Sequence, residues 1–153
     1  MPSKQIELVL VLPNIRSRFN VGSIFRTADG AGVNKIYLCG ITPTPPHDKI
    51  AKVALGAETT VPWEYARQTA QLLKRLKNAS YHIVALEQSA HSILYTSFRP
   101  KGKIALVLGN EVTGLPKQWL SLCDTVIDIP MRGRKESLNV SVAAGVAIFH
   151  ILK

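Results

Sequence analysis

The sequence contains little that would build a metal centre, a disulfide framework or a membrane span. Its two cysteines, Cys39 and Cys123, lie in apolar surroundings, and its four histidines lack the paired spacing of metal ligands. We therefore expect free, buried thiols and no metal. The N-terminal apolar run, Leu8–Leu12, is far too short for a signal peptide or a membrane helix. These absences predict a cytoplasmic protein that does not enter a membrane.

Acidic residues are also scarce, and this scarcity constrains the partner. Ten acidic residues stand against 19 lysines and arginines, which gives a net charge of +9. Such a balance favours a polyanionic partner, nucleic acid first and an anionic membrane second, although some small basic proteins bind neither. With 153 residues, 46% of them hydrophobic, the chain is long enough for one domain, residues 1–153, without an appended RNA-binding domain.

Short apolar runs alternate with helical patterns along the chain. This alternation predicts an α/β fold with a mainly parallel sheet and flanking helices. Prolines exclude a central strand from Gly40–Glu58, although a short helix can follow His47. The predicted strands are Ile6–Leu12, Lys35–Leu38, His82–Leu86, Ile104–Leu108 and Thr125–Ile129, and the predicted helices are Val21–Ala31, Glu64–Lys77, Pro116–Cys123 and Leu138–Leu152.

A first candidate motif is Asn20-x-Gly22-x-x-x-Arg26, at the start of a predicted helix. Asn20 can cap that helix, and Gly30 or Gly32 can end it. Arg16 and Arg18 precede the motif, so three guanidinium groups cluster near one helix start, a combination that favours phosphate. The alternative is an arginine that merely flanks a helix.

A second candidate motif follows the apolar strand that ends at Leu108. Gly109-Asn110-Glu111 and then Gly114 occupy the place where open α/β sheets bind ligands, beyond the carboxyl end of a strand. The stretch lacks the Lys-Ser/Thr of a P-loop and the spacing of a dinucleotide fingerprint. Because Glu111 would repel a triphosphate, the loop suits a neutral or cationic ligand. A purely structural turn is the alternative.

A third candidate motif runs from Ile129-Pro130-Met131 to a helix start at Ser137-Leu138-Asn139. Ser137 or Asn139 can cap that helix, and free backbone N–H groups gather there. The helix interior is rich in small residues, which permit close approach within the core or to another subunit. The loop before it holds Arg132, Arg134 and Lys135, which contact phosphate or are simply a solvated charge run.

In this order and at these separations, the three motifs resemble the SpoU/TrmH-like branch of the SPOUT superfamily of RNA methyltransferases. The resemblance spans Ile6 to Leu152. It implies a C-terminal trefoil knot, a homodimer, S-adenosylmethionine as methyl donor with S-adenosylhomocysteine as product, and transfer to a ribose 2′-oxygen. We expect tRNA slightly ahead of ribosomal RNA because the chain is minimal.

The resemblance also assigns residues. It implies that Arg26 activates the 2′-hydroxyl. Because a guanidinium is essentially always protonated, we expect Arg26 to bind phosphate and stabilise the developing alkoxide while another group accepts the proton. Ser137 and Asn139 would orient ribose and donor, and Asn20 is a further catalytic candidate. The RNA-binding candidates are Arg16, Arg18, Arg132, Arg134 and Lys135. The donor-binding candidates are Leu86, Gly109, Asn110, Glu111, Ile129, Met131, Ser137 and Leu138.

The chemistry of the residues is compatible with these assignments. A sulfonium donor tolerates an acidic loop, and RNA alone offers a 2′-hydroxyl. Aromatic residues make up 7% of the chain, so base stacking is not expected to dominate recognition. Two alternatives stay open: a catalytically inactive RNA-binding protein with the same fold, and a nucleotide-dependent Rossmann-type enzyme.

Overall fold

The computed structural model describes residues 5–153, which form a seven-stranded sheet in which every pair of neighbouring strands is parallel. The order across the sheet is β3-β2-β1-β6-β4-β7-β5. This architecture confirms the predicted α/β class with a parallel sheet, whereas the trefoil knot stays a prediction. The strands are β1 Glu7–Pro13, β2 Lys35–Cys39, β3 Trp63–Ala66, β4 His82–Leu86, β5 Ile93–Leu94, β6 Lys103–Leu108 and β7 Thr125–Asp128.

Within residues 5–153, six helices and one 3₁₀ turn accompany these strands, and the last helix follows the last strand. None of the helices in the described part of the chain is long and apolar enough to cross a membrane. The helices are α1 Arg18–Ala31, α2 Asp48–Ala54, α3 Ala57–Thr60, α4 Thr69–Asn78, α5 Lys117–Leu120 and α6 Val140–Ile151, and the 3₁₀ turn is Tyr95–Ser97.

After their first residues, the central strands β1, β6 and β4 are apolar, because both faces of the sheet are covered there. In β1, Leu8, Leu10 and Leu12 pack into a core with α1 and α6, whereas Val9 and Val11 pack on the opposite face with α4. Successive side chains of a strand point to opposite faces, so one strand supplies both cores.

The strand order places three strand ends next to one another. β6, β4 and β7 are neighbours, with Leu86 of β4 paired to Leu108 of β6 and to Ile127 of β7. Because the strands are parallel, the segments that follow them leave the sheet at the same edge. The second and third motifs therefore meet there, although they are far apart in sequence.

The first predicted helix begins earlier than expected. α1 starts at Arg18, and Ser17 caps it by accepting a hydrogen bond from the backbone N–H of Asn20. The assignment of Asn20 as the cap is therefore wrong, since that side chain makes longer-range contacts. Gly32 ends the helix in a left-handed conformation, and Gly30 remains inside it.

The predicted helix Glu64–Lys77 is wrong in its first part. Trp63–Ala66 forms strand β3, which pairs with β2 at the edge of the sheet, and helix α4 begins at Thr69. Pairing with an open strand edge outweighs the local helical pattern. Strand β5 and the 3₁₀ turn have no counterpart in the sequence prediction, because two-residue strands carry no periodic signal.

The other helix boundaries follow the sequence more closely. The short helix expected after His47 is α2, which His47 caps. Asn139, not Ser137, caps α6, so this helix begins at Val140 rather than Leu138. The predicted Pro116–Cys123 helix shortens to α5, with Pro116 just before its first residue.

Both cysteines are free, as predicted, but their burial differs. Cys39 is buried, whereas Cys123 is half-buried rather than fully enclosed. Removal from water raises the pKa of the Cys39 thiol to about 12 and that of Cys123 to about 11. Both side chains are therefore neutral thiols near pH 7 and are poor nucleophiles.

Gly22 allows α1 to pack closely against α2. A Cβ atom on Gly22 would lie 2.7 Å from the Ile50 carbonyl oxygen and 3.0 Å from Val53 Cβ. These contacts involve backbone and a Cβ atom, neither of which can rotate away. The glycine of the first motif thus sets the distance between two helices.

We expect Gly22→Ala to lower the free energy of unfolding by about 1–3 kcal/mol, because the added methyl group forces the two helices apart. Gly30→Ala is the matched control in the same helix, since a Cβ there meets no atom within 4 Å. It should be neutral or stabilising by up to about 1 kcal/mol. Urea unfolding measures both, and equal midpoints for the two variants would contradict the close-packing explanation.

Candidate active site

The edge of the sheet where β4, β6 and β7 end contains a cavity of about 570 Å³, here called the large cavity. The starts of α1 and α6 close it from the side. It brings together every predicted donor-binding residue, and also Asn20 and Asn139 from the predicted catalytic set. Its lining comprises Asn20, Leu86, Glu87, Gln88, Leu108, Gly109, Asn110, Glu111, Gly114, Asp128, Ile129, Met131, Ser137, Leu138, Asn139, Val140 and Ala143.

Asn20 connects the three motifs within this cavity. Its side-chain nitrogen lies 3.4 Å from Glu111 Oε2, to which it donates, and its Oδ1 accepts a hydrogen bond from Asn139 Nδ2 at 3.2 Å. Asn20 is 5% exposed, so these partners replace water for a buried amide. Asn139 uses its own Oδ1 to accept hydrogen bonds from the N–H and hydroxyl of Ser141, which fixes the start of α6.

Glu111 in turn holds the start of α1. Its carboxylate accepts hydrogen bonds from the backbone N–H of Arg16 at 3.3 Å and of Ser17 at 3.2 Å. A negative charge at a helix N-terminus interacts favourably with the helix dipole. The acidic residue of the second motif therefore orders the loop that leads into the first motif.

Glu87 is a site residue that the sequence prediction missed. Its Oε2 accepts a hydrogen bond from the Leu115 N–H at 2.7 Å and lies 2.4 Å from the position that a Cβ on Gly114 would take. Gly114 also has a positive φ of 69°, so both its backbone conformation and its contact with Glu87 exclude a side chain at this position. Glu87 is the first residue after β4. Because ligands bind beyond the carboxyl ends of parallel strands, this position could have identified Glu87 as a site residue from the sequence.

The charge lining the large cavity is opposite to the charge of the whole chain. Three carboxylates, Glu87, Glu111 and Asp128, line it, and none of its lining residues in the described chain is lysine, arginine or histidine. Apolar side chains from the strand ends, such as Leu86 and Ile129, form the rest of its wall. The cavity therefore suits a ligand with an apolar planar part and a positive charge, and it disfavours a nucleoside triphosphate.

Arg26 is absent from the lining of the large cavity. It is exposed on the face of α1 that also carries Phe19, seven residues earlier. The structure thus brings Asn20, Ser137 and Asn139 together and leaves Arg26 apart from them. The RNA-binding candidates Arg16, Arg18, Arg132, Arg134 and Lys135 are all exposed.

Comparison with known proteins gives one family throughout. The model of the SpoU rRNA Methylase family matches residues 7–149. A 23S rRNA (guanosine-2'-O-)-methyltransferase RlmB from Ralstonia nicotianae is 36% identical over 146 residues, which cover 95% of this chain and 58% of that relative. The chain therefore spans less than two thirds of the length of this relative.

Solved structures share the fold over most of the chain. The AdoMet-bound rRNA methyltransferase from Sinorhizobium meliloti has a TM-score of 0.90 and 30% identity, covering 95% of this chain and 55% of its own. A structure described as giving insights into the 2-OH methylation of C/U34 on tRNA has a TM-score of 0.84 and 26% identity. It covers 97% of this chain and 95% of its own.

We expect Asn20→Asp to destabilise the protein at pH 7 by roughly 1–3 kcal/mol, because it places a second carboxylate beside Glu111. Repulsion destabilises the folded state only while both carboxylates are charged. The loss should therefore shrink as the pH falls and one of the two carboxyl groups becomes protonated.

Arg18→Ala serves as the control for this measurement, since Arg18 is exposed on the same helix and should change stability by less than about 0.5 kcal/mol. Urea unfolding of both variants and the wild type, at pH 7 and at pH 4.5, provides the comparison. A pH-independent loss for Asn20→Asp would contradict repulsion between residue 20 and the Glu111 carboxylate.

Proposed function

The chain belongs to the SpoU rRNA methylase family, and on this basis we propose that it transfers a methyl group from S-adenosylmethionine to a ribose 2′-hydroxyl of RNA. The observation that carries the proposal is the acidic and partly apolar lining of the large cavity in a chain of net charge +9. A cationic ligand and a polyanionic one would thus bind to different parts of the protein.

The residues of the large cavity suit this donor. S-adenosylmethionine supplies an electrophilic methyl group on a positively charged sulfur. Glu87, Glu111 and Asp128 provide compensating negative charge, and the apolar strand ends Leu86 and Ile129 suit the adenine ring. No metal is needed for this chemistry, and no cluster of metal-ligating residues occurs within residues 5–153.

The polar residues at the start of α6 are placed to orient the acceptor. Asn139 and Ser137 line the cavity, and hydrogen bonds to Asn20 and Ser141 hold the Asn139 side chain in position. A preorganised amide can hold a ribose hydroxyl for attack at little entropic cost. As the 2′-oxygen bonds to the methyl carbon, the carbon–sulfur bond of the donor breaks, S-adenosylhomocysteine leaves and the hydroxyl proton passes to solvent. A nearby guanidinium would stabilise the developing negative charge on the oxygen.

Ribosomal RNA is the RNA class that the comparisons favour. The relative with 36% identity is named as a 23S rRNA methyltransferase, so the preference for tRNA expected from the sequence gains no support there. One observation keeps tRNA as a second candidate: the tRNA-related structure is matched along 95% of its own length. The exposed basic residues beside the large cavity, Arg18 at the start of α1 together with Arg132, Arg134 and Lys135 on the loop before α6, suit phosphate contacts in either RNA.

The proposal extends to a homodimer formed through α1 and α6. Helix α6 is apolar on nearly all sides, yet Val142 and Phe149 are 53% and 54% exposed, and Phe19 of α1 is 61% exposed. An all-round apolar helix is normally covered. The two helices run side by side, because Asn20 contacts Asn139 near their starts and Thr27 Cγ2 lies 3.7 Å from a Cβ built on Gly145.

Arg26 shares the face of α1 that carries Phe19, so a dimer formed there would cover it. We therefore propose that Arg26 serves the cavity of the partner protomer, which reconciles its predicted role with its position outside its own cavity. Apolar contacts between identical faces are typical of a two-fold dimer.

The methyl-transfer proposal predicts new 2′-O-methylated nucleosides when the protein and S-adenosylmethionine are added to ribosomal RNA from a strain lacking the gene. Nucleoside mass spectrometry locates the product, with tRNA from the same strain as the parallel substrate. Asn139→Ala should reduce the rate at least about a hundredfold, because the oriented amide is lost. RNA binding without any methylation would instead identify an inactive protein with this fold.

We expect Phe149→Asp to convert the dimer into a monomer of 16.8 kDa in light scattering, because a carboxylate would be buried against apolar side chains. The control is Leu55→Asp, which changes another exposed apolar side chain, at the end of α2 rather than on α1 or α6, and should leave the dimer intact. A wild-type protein that is monomeric at micromolar concentration would contradict the homodimer.

The same dimer predicts complementation between two inactive variants. Arg26→Ala and Asn139→Ala, each inactive alone, should regain about a quarter of the wild-type rate when unfolded and refolded together in equal amounts. Half of the dimers are then mixed, and one of their two sites is intact. If Arg26 instead acts within its own chain, no dimer contains an intact site and the mixture stays inactive.

A further inference from the structure

A second cavity lies beside the large one, and nothing in the methyl-donor chemistry uses it. This small cavity has a volume of about 230 Å³ and lies over the carboxyl ends of β1 and β2, next to β6. Asn110 and Gly114 line both cavities, so one loop forms the wall between them. A ligand that fills the small cavity is therefore immediately adjacent to the donor site.

Hydrogen bonds shape the small cavity in the absence of any ligand. Asn14, at a left-handed φ of 57°, accepts the Ile41 N–H on its Oδ1 at 3.0 Å, and its backbone carbonyl accepts a hydrogen bond from Asn110 Nδ2. Asn14 Oδ1 lies 2.1 Å from the position of a Cβ on Gly40, which also has a positive φ, so glycine is required there. The segments after β1, β2 and β6 are thus joined at one residue, and the cavity is preformed.

The lining of the small cavity combines one cation with apolar surface. Arg16 supplies the guanidinium, and Ile41, Pro13 and Pro116 supply apolar walls. Ile41 is 64% exposed, an unusual state for a large aliphatic side chain at the rim of a cavity. A planar heterocycle matches this set, because it can lie against apolar walls while the guanidinium contacts its polar edge or its face. A bare phosphate would gain nothing from the apolar walls.

Arg16 links the small cavity to the catalytic site directly. Arg16 lines the small cavity, and its backbone N–H donates to Glu111, which lines the large cavity. A ligand bound by Arg16 therefore contacts a residue whose backbone is hydrogen-bonded to Glu111, and Glu111 in turn is hydrogen-bonded to Asn20.

From this geometry we propose that the small cavity binds the nucleobase of the RNA nucleotide whose ribose is methylated. The inference rests on the proposed function and adds a base-binding subsite to it, formed by Arg16, Ile41 and Thr113. The base enters the small cavity, which places its ribose at the wall shared with the donor site. Selectivity for the target base would then arise from the segments after β1, β2 and β6.

The test uses Thr113→Phe, which fills the small cavity from an exposed position on its rim. The matched control is Val112→Phe on the same loop, because Val112 is 77% exposed and lines neither cavity. Calorimetry with S-adenosylhomocysteine should give dissociation constants within about twofold of the wild type for both variants, because neither residue lines the large cavity.

A binding experiment tests the subsite without requiring methyl transfer. The four nucleoside 5′-monophosphates and, separately, ribose 5-phosphate are titrated into the full chain saturated with S-adenosylhomocysteine, and the methyl resonances of Ile41 and Thr113 are followed by NMR. At least one nucleotide should shift both resonances, and ribose 5-phosphate should not. In Thr113→Phe the Ile41 shift should disappear, and in Val112→Phe it should persist.

Equal shifts with ribose 5-phosphate would identify an anion site on Arg16 and overturn the base-binding subsite, as would the absence of any shift at millimolar nucleotide. In the activity arm, kcat/KM for ribosomal RNA should fall at least tenfold in Thr113→Phe and remain unchanged in Val112→Phe. Equal activity of the two variants would refute the subsite while methyl transfer by the wild type stands. Nucleotide binding without methylation by the wild type would refute the proposed function instead.

Discussion

A buried asparagine holds the candidate site together. Asn20 bonds to Glu111, 91 residues away in sequence, and to Asn139, 119 residues away, so one amide joins three segments that local structure would leave independent. A buried amide without partners is costly, and each contact therefore constrains the position of the other two segments. The large cavity exists in this shape because the network fixes the starts of α1 and α6 against the loop after β6.

Residues of helix α1 contribute both to the core and to the candidate site. Gly22 faces α2 at close range, while Asn20, two residues earlier, faces the polar network. The exposed face carries Phe19 and Arg26, which suit an interface. Since successive residues of a helix point in different directions, three roles fit within eight residues. The first motif is thus partly a packing motif and partly a chemical one.

Negative and positive side chains occupy different regions around the site. The segments that approach the large cavity carry Arg16 and Arg18, just before and at the start of α1, and Arg132, Arg134 and Lys135, on the loop before α6, and all five are in contact with solvent. The cavity between them is lined by three carboxylates, two of which accept backbone N–H groups. Opposite charges in adjacent regions let a cationic donor and an anionic acceptor approach one another without competing for one site.

Sequence patterns and the family resemblance suffice for the α/β class, most strand positions and ten of the 17 residues that line the large cavity. The strands follow from local pattern, because buried parallel strands are continuous apolar runs. The lining residues come from the resemblance of the three motifs to a family, and two of these motifs follow parallel strands, whose ends collect ligand-binding loops. Tertiary structure alone decided the rest. Trp63–Ala66 is a strand because β2 offers an open edge, and Glu87 belongs to the site because β4 lies between β6 and β7. Asn20 forms a connection rather than a helix cap because its partners are distant in sequence, and no local pattern encodes contacts of that range.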